Sequence, residues 1–180
     1  MKPLAALEDQ RRYLASLLEA IQRCVFFLDA SSSSLAWPLT GEHLRTRKKD
    51  NNLFEALAAV NERFAKLQDS LGSAMKHSLV LSGEHADTFI QVLVLFEKLG
   101  VLASVDAWQL ARTARNLAAH DYETDYDQVA GHFNALHSLT PALFGVAKRF
   151  VTYAEEALGV SPLSLDFQVD FERITSQVAG

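Results

Sequence analysis

The chain has a single cysteine, no apolar run of membrane-spanning length and no surplus of basic charge, and each absence removes a class of function. Cys24, inside "CVFFL", has no second cysteine with which to form an intramolecular disulfide, and its apolar neighbours read as those of a small buried hydrophobe rather than a nucleophile. No stretch approaches the roughly 18 uncharged apolar residues of a transmembrane helix. The opening "MKPLAALEDQRRY" meets Glu8, Asp9 and two arginines before any apolar stretch reaches signal-peptide length, so a cytoplasmic location and no membrane partner are expected. With a net charge of −5 and a pI near 5.6, there is no global basic field to hold the chain on DNA, and any nucleic-acid contact must be local. Phosphate-cradling glycine loops, nucleophile elbows and paired-carboxylate patterns are also missing. His43, His77, His85, His132 and His137 are scattered, with no i, i+4 pair of the kind that holds zinc on a helix, so no metal site and no cofactor are expected.

What remains is a helical text. Nearly half the residues are hydrophobic (49%) and 22% are charged, the balance of a folded chain, and 180 residues suit one well-buried core better than two. One domain over 1–180 is expected, with its core at about 5–158 and a tail from 159 to 180. Leu7, Leu14, Leu18, Ile21, Val25 and Leu28 recur at helical spacing, and "ASSSSLAWPLTG" (30–41) then reads as a loop. Asp50 or Asn51 caps a second helix through Leu53, Leu57, Val60, Phe64, Leu67 and Leu71, for which Gly72 is the expected stop. A third begins near Ser82 to Glu84, passes Phe89, Val92, Leu93 and Phe96, and ends at Gly100. The fourth begins near Ser104, has Asp106 in its first turn, and starts an apolar face with Trp108, Leu110 and Ala111. A fifth runs from about Tyr126 through Val129, Phe133 and Leu136; a sixth runs from Pro141 through Phe144, Ala147, Phe150 and Ala154 to Leu158, before Gly159. After Pro162, "LSLDFQVDF" alternates apolar and polar residues like a strand, while Phe167, Phe171, Ile174 and Val178 fit a helix equally well.

One stretch exceeds what a bundle needs. "RTARNLAAHDYETDY" (112–126) carries Arg112, Arg115, Asn116, His120 and Tyr122 within eleven positions. Cations and asparagine are common at a helix end, because they suit the negative end of the dipole and the left-handed turn beyond it. That accounts for any one of them better than for the set. Five residues separate Arg115 from His120, which in a straight helix turns their side chains about 140° apart. For both to meet one ligand, the helix must end or distort between them, or two copies of the chain must share the site. Upstream, "RTRKK" places Arg45, Arg47, Lys48 and Lys49 within five positions, either as a solvated helix entrance or as a set of phosphate contacts.

The octapeptide "RNLAAHDY" (115–122), with arginine, a polar residue, three small or apolar residues, histidine, any residue and tyrosine, resembles the signature of HEPN domains. Tyrosine two after histidine is similar to the HepT-like toxins paired with minimal nucleotidyltransferases. "ERF" (62–64) and "FEKLGVL" followed by "DAW" ahead of the motif add to the likeness. The resemblance implies an all-α four-helix-bundle core that forms a homodimer, with the motif of both copies lining one cleft. It also implies a metal-independent endoribonuclease toxin of a type II or type VII-like pair, cutting RNA such as tRNA or mRNA. In that reading Arg115, Asn116 and His120 are catalytic, and Arg112 with Arg45, Arg47, Lys48 and Lys49 binds RNA phosphates. Tyr122 would accept a nucleotidyl group from a nucleotidyltransferase antitoxin, placing negative charge where RNA phosphate must sit. Relatives on the same scaffold imply an alternative, a non-catalytic nucleotide- or substrate-binding partner subunit of a nucleotidyltransferase. The serine-rich segment before residue 45, the tail after Gly159 and the net acidity depart from the compact members.

Overall fold

The computed structural model of the chain describes residues 2–118 and 124–178. Among these residues the fold is all-α, with seven helices: α1 (Lys2–Ser33), α2 (Gly41–Thr46), α3 (Asn51–Ser82), α4 (Phe89–Lys98), α5 (Val105–Ala118), α6 (Tyr126–Leu158) and α7 (Gln168–Ser176). The long helices α1, α3 and α6 pack with α5 around one core, α4 lies on α3 and α5, α2 on α6, and α7 across α1 and α6. Leu14, Leu18, Ile21, Val25 and Leu28 of α1 meet Leu57, Val60, Phe64, Leu67 and Leu71 of α3, and Phe133, Leu136 and Phe150 of α6 complete the centre, all buried. Each such side chain contributes on the order of 1.5–3 kcal/mol by leaving water. That is why the apolar spacing in the sequence maps so directly onto the helices.

Several boundaries differ from those expected. Gly72 does not stop a helix: α3 continues through it to Ser82, and Gly83 provides the left-handed cap (φ 72°). The reason is lateral, since a Cβ at Gly72 would stand 3.1 Å from Phe89 Cζ and 3.7 Å from Trp108 Cζ2. The missing side chain lets two aromatic rings close over α3, which offsets a helix-interior cost of about 1 kcal/mol. The third helix accordingly begins at Phe89, after Thr88, where the Gln91 side chain accepts from the Thr88 N–H, and not at Ser82 to Glu84. Leu110 stands apart from the apolar face of α5, which is Trp108, Ala111, Ala114 and Ala118; Leu110 is exposed.

The fifth and sixth expected helices are one. α6 runs through Pro141, whose ring is exposed while Thr140, Leu143 and Phe144 beside it are buried. Proline costs a helix interior about 3 kcal/mol. The unbroken apolar stripe from Phe133 to Ala154 outweighs that cost. The expected loop over 30–41 is shorter at its start, because α1 extends to Ser33, and residues 34–40 form the loop that leads into α2. The segment between α1 and α2 is pinned: the Asn134 side chain accepts from the Leu39 N–H and donates to the Leu39 carbonyl, both at 2.8 Å, and Trp37 Nε1 donates to the Ser32 carbonyl. The alternating tail is no strand. Residues 159–167 carry no regular element, and α7 buries Phe171 and Ile174 on three-residue spacing while Leu163, Leu165 and Val169 are exposed. Arg11 of α1 ties the start of that tail, donating to the Leu158 and Gly159 carbonyls at 3.0 and 2.6 Å.

Candidate functional site

α5 runs antiparallel to α3, with Trp108 against Gln68 and Gly72 and, two turns on, Arg115 against Ala65 and Asp69. Between them lies a cleft of about 300 Å³ bordered by Lys76, Arg112, Arg115, Asp69, Trp108 and Phe89. Three cations therefore face one carboxylate. Arg115 is held firmly: one nitrogen, Nη1, donates to the Ala65 carbonyl at 2.9 Å and to Asp69 Oδ1 at 2.8 Å, and its side chain is only 13% exposed. Its remaining donors have no partner among the described residues. Arg112 and Lys76 are exposed and form no ion pair among those residues.

The wall of the cleft is set by Gln68, itself buried. Its Nε2 donates to the Trp108 carbonyl at 2.9 Å, which orients the amide and anchors α5 on α3. Its Oε1 is buried with no partner among the described residues. Trp108 and Phe89 lie above Gly72; Trp108 is buried, and the half-exposed Phe89 gives the cleft its aromatic surface beside the positive charge.

The sequence-predicted residues of the 112–122 stretch divide into three groups. Arg112 and Arg115 share the cleft. Asn116 is exposed on α5 and makes no hydrogen bond among the described residues. His120 and Tyr122 lie outside the described residues.

The basic run stands elsewhere. Arg45 pairs with Asp127 in the first turn of α6 at 3.2 Å, Arg47 pairs with Asp50, and Lys48 and Lys49 are exposed in the turn leading into α3. Asp50, the cap of α3, receives the Leu53 N–H, and this bond with the Arg47 contact holds its carboxyl below the usual range. Nineteen residues of α3 separate Asp50 from Asp69, roughly 28 Å at 1.5 Å per residue, so these cations do not line the α3–α5 cleft. They share the end of the bundle where α6 begins.

Lys76, Asp69, Gln68 and Phe89 belong to the cleft and were not singled out by the sequence. Lys76 and Asp69 lie two turns apart on α3 with ordinary helix-surface neighbours, and only the packing of α5 gives them a site. Among the described residues no group of three His, Cys, Asp or Glu side chains is arranged to hold a metal ion, and no helix is long and apolar enough to cross a membrane. Cys24 is half-buried, and burial pushes its thiol up, away from the thiolate a nucleophile needs. No family model, curated protein or solved structure matches the chain.

Proposed function

We infer that the chain is an RNA-binding protein of the HEPN type and a metal-independent endoribonuclease, with the α3–α5 cleft taking RNA phosphate and base. The observation that carries the reading is the convergence of Lys76, Arg112 and Arg115 beside the half-exposed ring of Phe89. Cations neutralise phosphate, and aromatic faces stack on any base. The motif that the resemblance rests on thus contributes Arg115, and the turn before it Arg112, to one cationic surface. An overall charge of −5 is no obstacle, because the field near the cleft is set by its own groups.

The chemistry comes from the residue types. The ribose 2′-hydroxyl attacks the adjacent phosphorus, one His120 takes its proton, and the P–O5′ bond breaks as a second acid, His120 of another copy in a homodimer, protonates the leaving oxygen. Arg115 stabilises charge on the phosphoryl oxygens through the donors it does not give to Ala65 and Asp69. Asn116, exposed on α5 one turn after Arg112, orients the phosphate or the imidazole, and nucleotidylation of Tyr122 by a nucleotidyltransferase antitoxin closes the site.

The test is expression of the wild-type chain, Arg115→Ala and His120→Ala in cells without an antitoxin, with total RNA and tRNA examined for new ends and the purified proteins assayed in EDTA. Cleavage by wild type alone supports the reading. Intact RNA with all three folded proteins refutes catalysis. One observation favours a second reading, a nucleotide-binding partner subunit of a nucleotidyltransferase: Arg115 is already engaged by Asp69, as suits a positioned binding group more than a mobile catalytic one. In that case RNA or nucleotide binding persists in His120→Ala and is lost in Arg112→Ala.

A further inference from the structure

On the other side of Trp108 the fold forms a second cavity, open to solvent on one side, larger and of different chemistry. It measures about 450 Å³ and lies where the start of α5, the middle of α6 and the end of α7 meet. Leu102, Ala107, Leu143, Val146 and Val178 line it with the indole of Trp108. Residues as small as Ala107 on α5 and Gly145 on α6 leave the space open.

Its polar groups have one sign. Among the described residues, Arg149 and Lys148 border the cavity, no carboxylate does, and neither cation is in an ion pair. Arg149 is a built feature. Its Nε donates to the Val101 carbonyl at 2.9 Å, and its guanidinium folds back over Gly145, where a Cβ would come within 3.0 Å of Nη1. Glycine at that position is what lets the guanidinium lie against α6 at the cavity's edge. A half-buried cation, oriented by a backbone bond, beside an apolar chamber of this size is the arrangement that recognises an amphipathic anion.

We propose that this cavity binds a medium-chain carboxylate, with its alkyl chain against Trp108, Leu143 and Val146 and its head group on Arg149. Charge complementarity selects the carboxylate over an alcohol of equal length, and the apolar walls select a chain of about ten carbons over a short one, since each buried methylene adds affinity. The site is separate from the cationic cleft, the two sharing only Trp108.

The experiment titrates the full chain with decanoate below its micelle threshold, followed by tryptophan emission and calorimetry. One saturable site per chain is expected, with decanol about tenfold weaker and each methylene removed costing about fourfold in affinity. Arg149→Gln should bring decanoate down to the level of decanol and leave decanol unchanged, while Arg149→Lys retains part of the preference. Gly145→Ala, whose added methyl meets only the flexible end of Arg149, should reproduce the loss in a protein that folds normally. Absence of saturable binding overturns the proposal, as does decanoate binding that is indifferent to both Arg149→Gln and Gly145→Ala.

Discussion

Asp69→Asn separates a cleft built to bind anions from an ion pair that merely holds two helices together. Among the described residues Asp69 is the one carboxylate facing Lys76, Arg112 and Arg115. A phosphate on the outer donors of Arg115 would sit roughly 6 Å from it, given an Arg–Asp contact of 2.8 Å and a similar Arg–phosphate contact. Two like charges at that distance repel by about 0.7 kcal/mol at the dielectric constant of water and by about twice that at half the value. Removing the carboxylate charge should therefore tighten RNA binding by roughly threefold to tenfold. The cost in stability is small, because Asp69 is 64% exposed and Arg115 keeps its bond to the Ala65 carbonyl. Such pairs contribute about 0.5–1 kcal/mol, or a Tm shift of about 1–4 °C for a chain of this size. The assay is fluorescence anisotropy of a short labelled single-stranded RNA at several salt concentrations, with thermal unfolding alongside. If Asp69→Asn weakens binding in a protein that remains folded, the carboxylate serves to position Arg115, and the reasoning from cleft charge is wrong.

Arg112→Ala should weaken RNA binding and lower the slope of log affinity against log salt by about 0.7, the value for one phosphate contact on a single strand; an unchanged slope places Arg112 outside the interface. Phe150→Ala, which empties a fully buried position beside Phe96 and Tyr153, should cost about 3–5 kcal/mol in denaturant unfolding. His137 stacks on Trp37 with ring centroids 4.1 Å apart and lies 3.0 Å from Ser32 Oγ, and burial pushes its pKa below the ordinary 6.5. The unfolded chain thus binds the proton more readily, so this residue's contribution is complete above pH 6.5 and is lost as pH falls through the lower folded value. Between pH 7 and pH 5 the wild type should therefore lose more Tm than His137→Asn does, and parallel curves for the two would refute the assignment.

The core was legible in the amino-acid order because helical periodicity and burial are the same fact seen twice. Leu57, Val60, Phe64, Leu67 and Leu71 recur at three and four residues, and a helix places them on one face whatever it meets there. The caps at Asp50 and Gly159 came from local chemistry: Asp50 accepts from Leu53, and Gly159 supplies a left-handed turn. Arg112 and Arg115 were found through composition, since a run of small helix formers has no local use for them. What misled was local too. Glycine and proline mark ends in isolation, yet Gly72 and Pro141 both stand inside long helices, one to admit Phe89 and Trp108 and the other with its ring turned to solvent. The alternating tail fitted two periods, and only contact with α1 and α6 selects the helical one that buries Phe171 and Ile174.

The sequence by itself determined that the chain is helical, which residues the long helices bury and that an unusual cationic stretch is present, because these depend on neighbours three or four residues away. Tertiary structure alone decided that Lys76 and Asp69 of α3 face Arg112 and Arg115 of α5, that the basic run near residue 47 lies at another end of the bundle, and that Arg149 folds over Gly145 beside an apolar chamber. Such juxtapositions arise from helices far apart in the chain. No periodicity within either helix encodes which turn of the other it will meet.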